Sequence, residues 1–398
     1  MLECKNGVYN REDDVQHDDI DRLVEALNES AAPAPTPDAA ASVRSPSPRL
    51  EAWLRALVDR GGSDLFLVAG APPCIRVDGA LHPLTEGPLD GQDVEEAVLP
   101  ALSPVHLAQY RERRAADLSL RVDARHRFRV NLHHERERAA VAIRALPTVV
   151  PSIAELHFPL PIDALARLGR GLVLICGATG SGKTTTMASI VADINARERR
   201  HIITIEDPIE YEHPHGRCLV EHQEVGSDVT DFVSALRAAV RQAPDVLVVG
   251  EMRDPETMRL AVNAAETGHL VLSTLHATDV SSAVARVVDS FPLERQAAVR
   301  QELAMALAAV LTQTLVPRAD GSGRVPAAEL LVVSYGARQH IRKNALQHLH
   351  QEITITRKLG SFTLEETLAR LVQQGAIERV EAIGRAAHVE ELEGIIGR

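Results

Sequence analysis

Apolar positions along this chain follow two rhythms, and the change between them separates two domains. Leu50, Trp53, Leu54, Leu57 and Val58 recur at helical spacing and stop at Gly61-Gly62. Short alternating runs follow at 64–68, 75–77, 119–122, 127–131 and 140–144, divided by turn signals such as Asp78-Gly79. With helical material between Gly91 and Arg114, residues 49–147 read as a small α+β domain. From Gly171 the rhythm becomes strand and helix by turns. Apolar runs at 171–176, 202–205, 246–249 and 269–274 alternate with helical stretches at 185–190, 232–242 and 258–267. That alternation predicts a parallel α/β sheet. It sets the second domain at 161–335, after a linker at 148–160 marked by Pro151 and Pro159. Beyond Pro292 the pattern predicts mostly helix, with one short strand-like run at 329–333 and a C-terminal helical region at 336–398. Residues 1–48 read as an acidic tail, with one candidate short helix at 19–27, and an Ala/Pro/Ser-rich linker from about 31 that is too poor in apolar side chains to fold.

Composition narrows the class. Hydrophobic residues at 45% and charged residues at 25% describe a soluble globular protein, and aromatics at 3% require an aliphatic core. A net charge of -12 speaks against a dedicated nucleic-acid binder. Four cysteines without a C-x-x-C pair suit a reducing compartment and no structural zinc. The N-terminus lacks the pattern of a signal peptide. The best apolar stretch, 303–316, is interrupted by Thr312, Gln313 and Thr314 and is too short for a membrane span. A cytoplasmic protein is expected, reaching a membrane only through partners.

The candidate chemistry starts at Gly177-Ala178-Thr179-Gly180-Ser181-Gly182-Lys183-Thr184, which lies between an apolar run and a helix beginning near Thr185. In that context G-x-x-x-x-G-K-[ST] is a phosphate loop. Glycines let backbone N–H groups turn onto phosphate oxygens, and the helix N-terminus favours the same anion. Gly177, Thr179, Gly180, Ser181, Gly182, Lys183, Thr184 and Thr185 are therefore candidate nucleoside-triphosphate ligands, with the Thr184 hydroxyl placed for Mg²⁺. Ligands of parallel sheets bind at the carboxyl ends of strands. Glu206 and Asp207 follow one later strand, Glu251 another, and His276 a third. A carboxylate there can support Mg²⁺ or handle the attacking water, and spacing leaves open which does which. Spacing also leaves His276 undecided between a γ-phosphate sensor and a structural histidine, whereas His269, at a strand start, reads as structural. Arg127, Arg129, Arg136, Arg138 and Arg144 crowd the end of the first domain, either as a solvated basic face or as arginine fingers.

Three further segments carry a resemblance. Glu206-Asp207-Pro208-Ile209-Glu210-Tyr211 resembles the Asp box of the type II/type IV secretion ATPase superfamily. Residues 245–254 resemble its Walker B segment, and 267–276 its His box. Asp64, Asp78-Gly79 and Arg127-Phe128-Arg129 sit in segments similar to the superfamily's first domain, so the likeness runs from about Leu50 to the C-terminal helices. It implies a RecA-like ATPase domain behind a smaller PAS-like domain, a homo-hexameric ring and ATP with Mg²⁺ held between domains and subunits. It further implies work on an inner-membrane pilus platform protein, with a paralogous pilus ATPase as a further partner. By that resemblance Lys183 and Thr184 hold phosphate and metal, and Glu206 positions water. Glu251 supports Mg²⁺ or acts as base, Asp207 shapes the Asp box, His276 senses the nucleotide, and Arg129 and Arg144 are the preferred arginines. The twitching-motility (retraction) branch is the nearer one, because a long extra N-terminal domain and a tetracysteine motif are missing. The chain departs from that branch in two segments: Phe66 stands where histidine is usual, and the retraction-linked segment A-I-R-x-x-I-R-E, read here at 336–343, lacks its first isoleucine and ends in Lys343 instead of glutamate. Assembly or secretion ATPase and low-turnover regulatory subunit are the alternatives.

Overall fold

Hairpins build the first sheet. In the computed structural model, which describes residues 46–123 and 125–397, the chain enters through helix α1, Pro48–Asp59. The Ser47 side chain caps it by accepting the Leu50 N–H at 3.1 Å. Strands β1 (Asp64–Val68), β2 (Cys74–Val77), β3 (Ala80–Pro83), β4 (Ala116–Arg121), β5 (Arg127–Glu135) and β6 (Arg138–Ala145) pair antiparallel in the order β3-β2-β1-β6-β5-β4. Helices α2 (Gly91–Val98) and α3 (Pro104–Arg113) lie between β3 and β4 in sequence. Trp53, Leu57, Leu65, Val94, Val130 and Ile143 share one buried cluster, so α1 and α2 close this sheet's apolar face. Strand β3 was not legible in sequence because all four of its residues are exposed. The tail, its candidate helix and all but the end of the linker expected at 1–48 lie outside the described residues; the last linker residue, Pro48, opens α1.

The second sheet is mostly parallel. Strands β7 (Gly171–Cys176), β8 (His201–Glu206), β9 (Leu219–Glu224), β10 (Val246–Glu251), β11 (Leu270–Leu275), β12 (Leu307–Pro317) and β13 (Arg324–Val332) run in the order β13-β12-β7-β11-β10-β8-β9. Only β12 and β13 pair antiparallel. Every residue of β7 and β11 is buried, as expected where helices cover both faces. Helix α4 (Lys183–Arg197) packs on one face through Met187, Ile190 and Ile194. Helices α5 (Phe232–Ala239), α6 (Pro255–Glu266), α7 (Val280–Asp289) and α8 (Leu293–Ala306) fill the other. The chain ends in α9 (Tyr335–Arg342), α10 (Leu349–Ile355), α11 (Leu364–Gln373), α12 (Arg379–Ile383) and α13 (Val389–Ile396).

The expectation that 329–333 is the one strand-like run after Pro292 is corrected here. Residues 307–317 form the eleven-residue strand β12, and β13 is longer than the run expected at 329–333. Helix α8 passes directly into β12 at Leu307, where the backbone turns extended at ψ 123°. The apolar residues of β12 fall on both sides of Thr312-Gln313-Thr314 without strict alternation, so periodicity does not tell this strand from a buried helix. Strand β9 also went unread, since Glu221, His222, Gln223 and Glu224 give an edge strand a polar sequence. Among the described residues no helix is long and apolar enough to cross a membrane.

Polar contacts join the two sheets. Arg127, almost fully buried, donates from Nη2 to the Ile209 carbonyl at 2.9 Å and from Nε meets Glu212 at 3.2 Å. Ser119 donates to Glu224 at 2.7 Å, and Arg121 pairs with Glu212. The segment that follows Glu206 is thus gripped by the first sheet.

Candidate functional site

Strand β7 delivers the chain to a loop that only glycine can make. Gly177 has φ +148°, and a Cβ on it would lie 2.4 Å from the Gln313 carbonyl oxygen and 2.5 Å from Ser181 Oγ. Gly182, at φ +88°, occupies the N-cap of α4 without a side-chain cap, leaving first-turn N–H groups free for an anion. Buried Ser181 Oγ has no hydrogen-bond partner among the described residues, a donor suited to a phosphate oxygen. Lys183 Nζ donates to the Gly177 and Ala178 carbonyls at 3.0 and 2.9 Å. Burial lowers its pKa, and nearby Glu251 opposes that shift.

Gln313 is a site residue that sequence reasoning missed, because its strand was read as helix. Its Nε2 donates to the Ser181 carbonyl at 2.7 Å and steadies the loop from β12. Gln313→Ala should raise the Kd for ATP roughly fivefold to tenfold, the value of one buried hydrogen bond. Titration with a fluorescent ATP analogue measures this; an unchanged Kd would remove Gln313 from the site.

Two acids reach the same strand ends. Glu206 closes β8 and is 7% exposed. Burial pushes its carboxyl up to about 7, against hydrogen bonds from the Thr204 hydroxyl and the Glu210 backbone. Glu251 closes β10 after a register shift against β11, a local irregularity that re-aims its side chain. Its carboxylate meets Arg253 Nη2 at 2.9 Å and His276 Nε2 at 3.3 Å. Burial, followed by Lys183, lowers the His276 pKa, so this imidazole is neutral near pH 7. Thr185 Oγ1 lies 3.0 Å from the Tyr211 hydroxyl, tying α4 to the segment after Glu206. His269 packs as a structural residue, its Nδ1 2.9 Å from the Ala264 carbonyl.

The first sheet supplies cations. Arg129 and Arg144 are direct cross-strand partners on β5 and β6, and both line the cleft that holds Lys183, Glu206 and Glu251. Arg144 is anchored by Asp64 at 2.9 Å, whereas Arg129 has no ion-pair partner among the described residues. Like charges directly opposite repel, so the pair favours an anion between them and the loop. The cleft encloses about 600 Å³. Arg324 of β13 and Arg253 also line it, and neither was singled out in sequence. Of the other arginines weighed, Arg127 is committed to Ile209 and Glu212, and Arg136 and Arg138 meet Glu135 beside the β5–β6 turn. Thr179, Gly180, Thr184 and Thr185 line the cleft with the acids, and Thr184 with Glu251 offers the oxygen donors that Mg²⁺ prefers.

Comparison with known proteins gives a consistent picture. A family model described as Type II/IV secretion system protein matches residues 50–392. The type IV pilus retraction ATPase PilT of Pseudomonas aeruginosa is 40% identical over 327 residues, covering 82% of this chain and 95% of that protein. The type IV pilus ATPase PilU of the same organism is 38% identical over 342 residues, covering 86% and 90%. A crystal structure of the pilus retraction motor PilT with bound ADP superposes with a TM-score of 0.78 at 40% identity, over 87% of this chain and 98% of that one. The ATPase DotB of Legionella pneumophila superposes with a TM-score of 0.73 at 26% identity, over 87% and 96%.

Proposed function

The chain belongs to the type II/IV secretion system protein family, and from that premise we propose that it is a motor ATPase driving pilus retraction. One observation carries the reading: the phosphate loop, Glu206 and Glu251 share a single cleft with two arginines from the other sheet. Lys183 and the α4 N-terminus would bind the β- and γ-phosphates of ATP, and Gly177 would let the backbone approach them. Thr184 and Glu251 would hold Mg²⁺, which neutralises phosphate charge when bound. Glu206 would orient the attacking water and take its proton, a task suited to a carboxyl with a pKa near the working pH. Neutral His276 would hold Glu251 in place and register the γ-phosphate. Arg129 and Arg144 would close over the transferring phosphoryl group, so that hydrolysis alters the contact between the two domains at 49–147 and 161–335. A homo-hexameric ring would coordinate these closures and, docked at the inner membrane on a pilus platform protein, transmit them as force.

A second reading, an accessory or low-turnover pilus ATPase, is favoured by the extensive likeness to PilU and by Lys343 at the end of α9. Deletion of the gene discriminates. Loss of a retraction motor should leave surface pili present or in excess while twitching stops, and re-expression should restore twitching. Bald cells would instead assign the chain to assembly, and unchanged twitching would leave it an accessory role.

A further inference from the structure

Behind Glu206, along β8 and β9, stand polar groups for which nucleotide binding gives no use. Thr204 and Glu206 stand two residues apart on β8 and so share a face. Strand β9 runs beside them in parallel register, with His222 next to Thr204 and Glu224 next to Glu206. The His222 ring lies over His213, centroids 5.8 Å apart at 11°. The His213 ring is buried and the His222 ring half-buried, and burial lowers both pKa values, that of His213 to about 4. Each is therefore neutral near pH 7.

Neutrality fixes where the hydrogens go. The His213 backbone N–H donates to His222 Nε2 at 3.0 Å. The His213 carbonyl, 3.4 Å from the same nitrogen, is the weaker contact. Nε2 is thus an acceptor, and the ring proton resides on Nδ1. That nitrogen is 2.8 Å from Thr204 Oγ1 and donates to it. With its oxygen accepting from His222, the Thr204 hydroxyl has its own hydrogen free for the Glu206 carboxylate two residues on along the same face of β8.

We propose that His222 is a positioning residue for ATP hydrolysis, acting through Thr204 to hold the Glu206 carboxylate aimed into the cleft. The inference rests on the role given to Glu206 above. Other groups face this chain of hydrogen bonds. The Glu210 backbone donates to Glu206, the Glu210 carboxylate opposes its ionisation and Arg127 favours it. Glu212, Arg127 and His215 act on His222. None of these side chains takes the place of the Thr204 hydroxyl against Glu206.

The test is the ATPase pH profile of the full chain between about pH 6 and 9. Thr204→Val keeps shape and strand preference but removes the donor. It should lower kcat about tenfold, leave KM for ATP unchanged and move the acid limb up by about one pH unit, because the lost hydrogen bond favoured the ionised carboxyl. His222→Leu should move the limb in the same direction, and His222→Gln, whose amide can both donate and accept, should move it back. An unmoved limb in both Thr204→Val and His222→Leu, with Glu206→Gln inactive, would overturn this inference alone. Wild-type turnover in Glu206→Gln would overturn the role of Glu206 and this inference with it.

Discussion

Glu206→Gln should lower kcat for ATP hydrolysis by about 10³-fold while ATP still binds, because the amide keeps the shape of the carboxyl but cannot take a proton. Burial puts the wild-type carboxyl at about 7. The ionised form is the competent one, so turnover should fall below about pH 7 and level off above it, and the variant's residual activity should lose that dependence. A stability change of opposite sense should accompany the loss. In the folded chain Glu206 keeps its proton up to about pH 7, whereas the unfolded chain releases it near the ordinary value of 4.5. Between those values the folded state binds more protons, so the carboxyl's stabilising share, complete below 4.5, is lost as pH rises through about 7. Glutamine carries no such penalty. At pH 8 the variant should unfold at a higher temperature than wild type, by an amount on the order of 3 kcal/mol in free energy. A more stable yet inactive variant cannot be explained by misfolding. Turnover above a tenth of wild type would remove Glu206 from the chemistry.

Much of this candidate site is legible in the sequence, and the part that is not has a physical pattern. Glu206, Glu251 and His276 were legible because each follows a strand whose apolar residues face helices on both sides, so strand ends are sharp in sequence. The phosphate loop was legible because its glycines are required one by one, Gly177 by the Gln313 carbonyl 2.4 Å from where its Cβ would be. Gln313 and Arg324 stayed hidden because they lie on β12 and β13, an apolar hairpin whose periodicity does not separate strand from helix. Arg129 and Arg144 were visible only as part of a basic cluster. Their pairing across β5 and β6 selects them from it, and register is a tertiary fact. His222 was least legible: it depends on the backbone N–H of His213, nine positions away.

Lys183→Ala should fail earlier than Glu206→Gln, at binding itself. The ammonium is the nearly buried cation of the phosphate loop, and in the structure its hydrogens go to the Gly177 and Ala178 carbonyls at 3.0 and 2.9 Å. Those contacts hold the loop in shape and place the charge where phosphate oxygens would draw it. Alanine removes both functions, and kcat/KM should drop by at least about 10³-fold. Activity alone does not distinguish lost binding from lost chemistry, but ligand-linked stability does. At a concentration one hundred times the wild-type Kd, ATP should stabilise wild type and Glu206→Gln by about 2.7 kcal/mol and Lys183→Ala by almost nothing. A thermal shift with ATP in Lys183→Ala equal to that of wild type would mean that the helix N-terminus and the arginines suffice to bind the triphosphate. The two variants thus separate the strand end that acts on water from the loop that holds the phosphates, though both should abolish twitching in the cell.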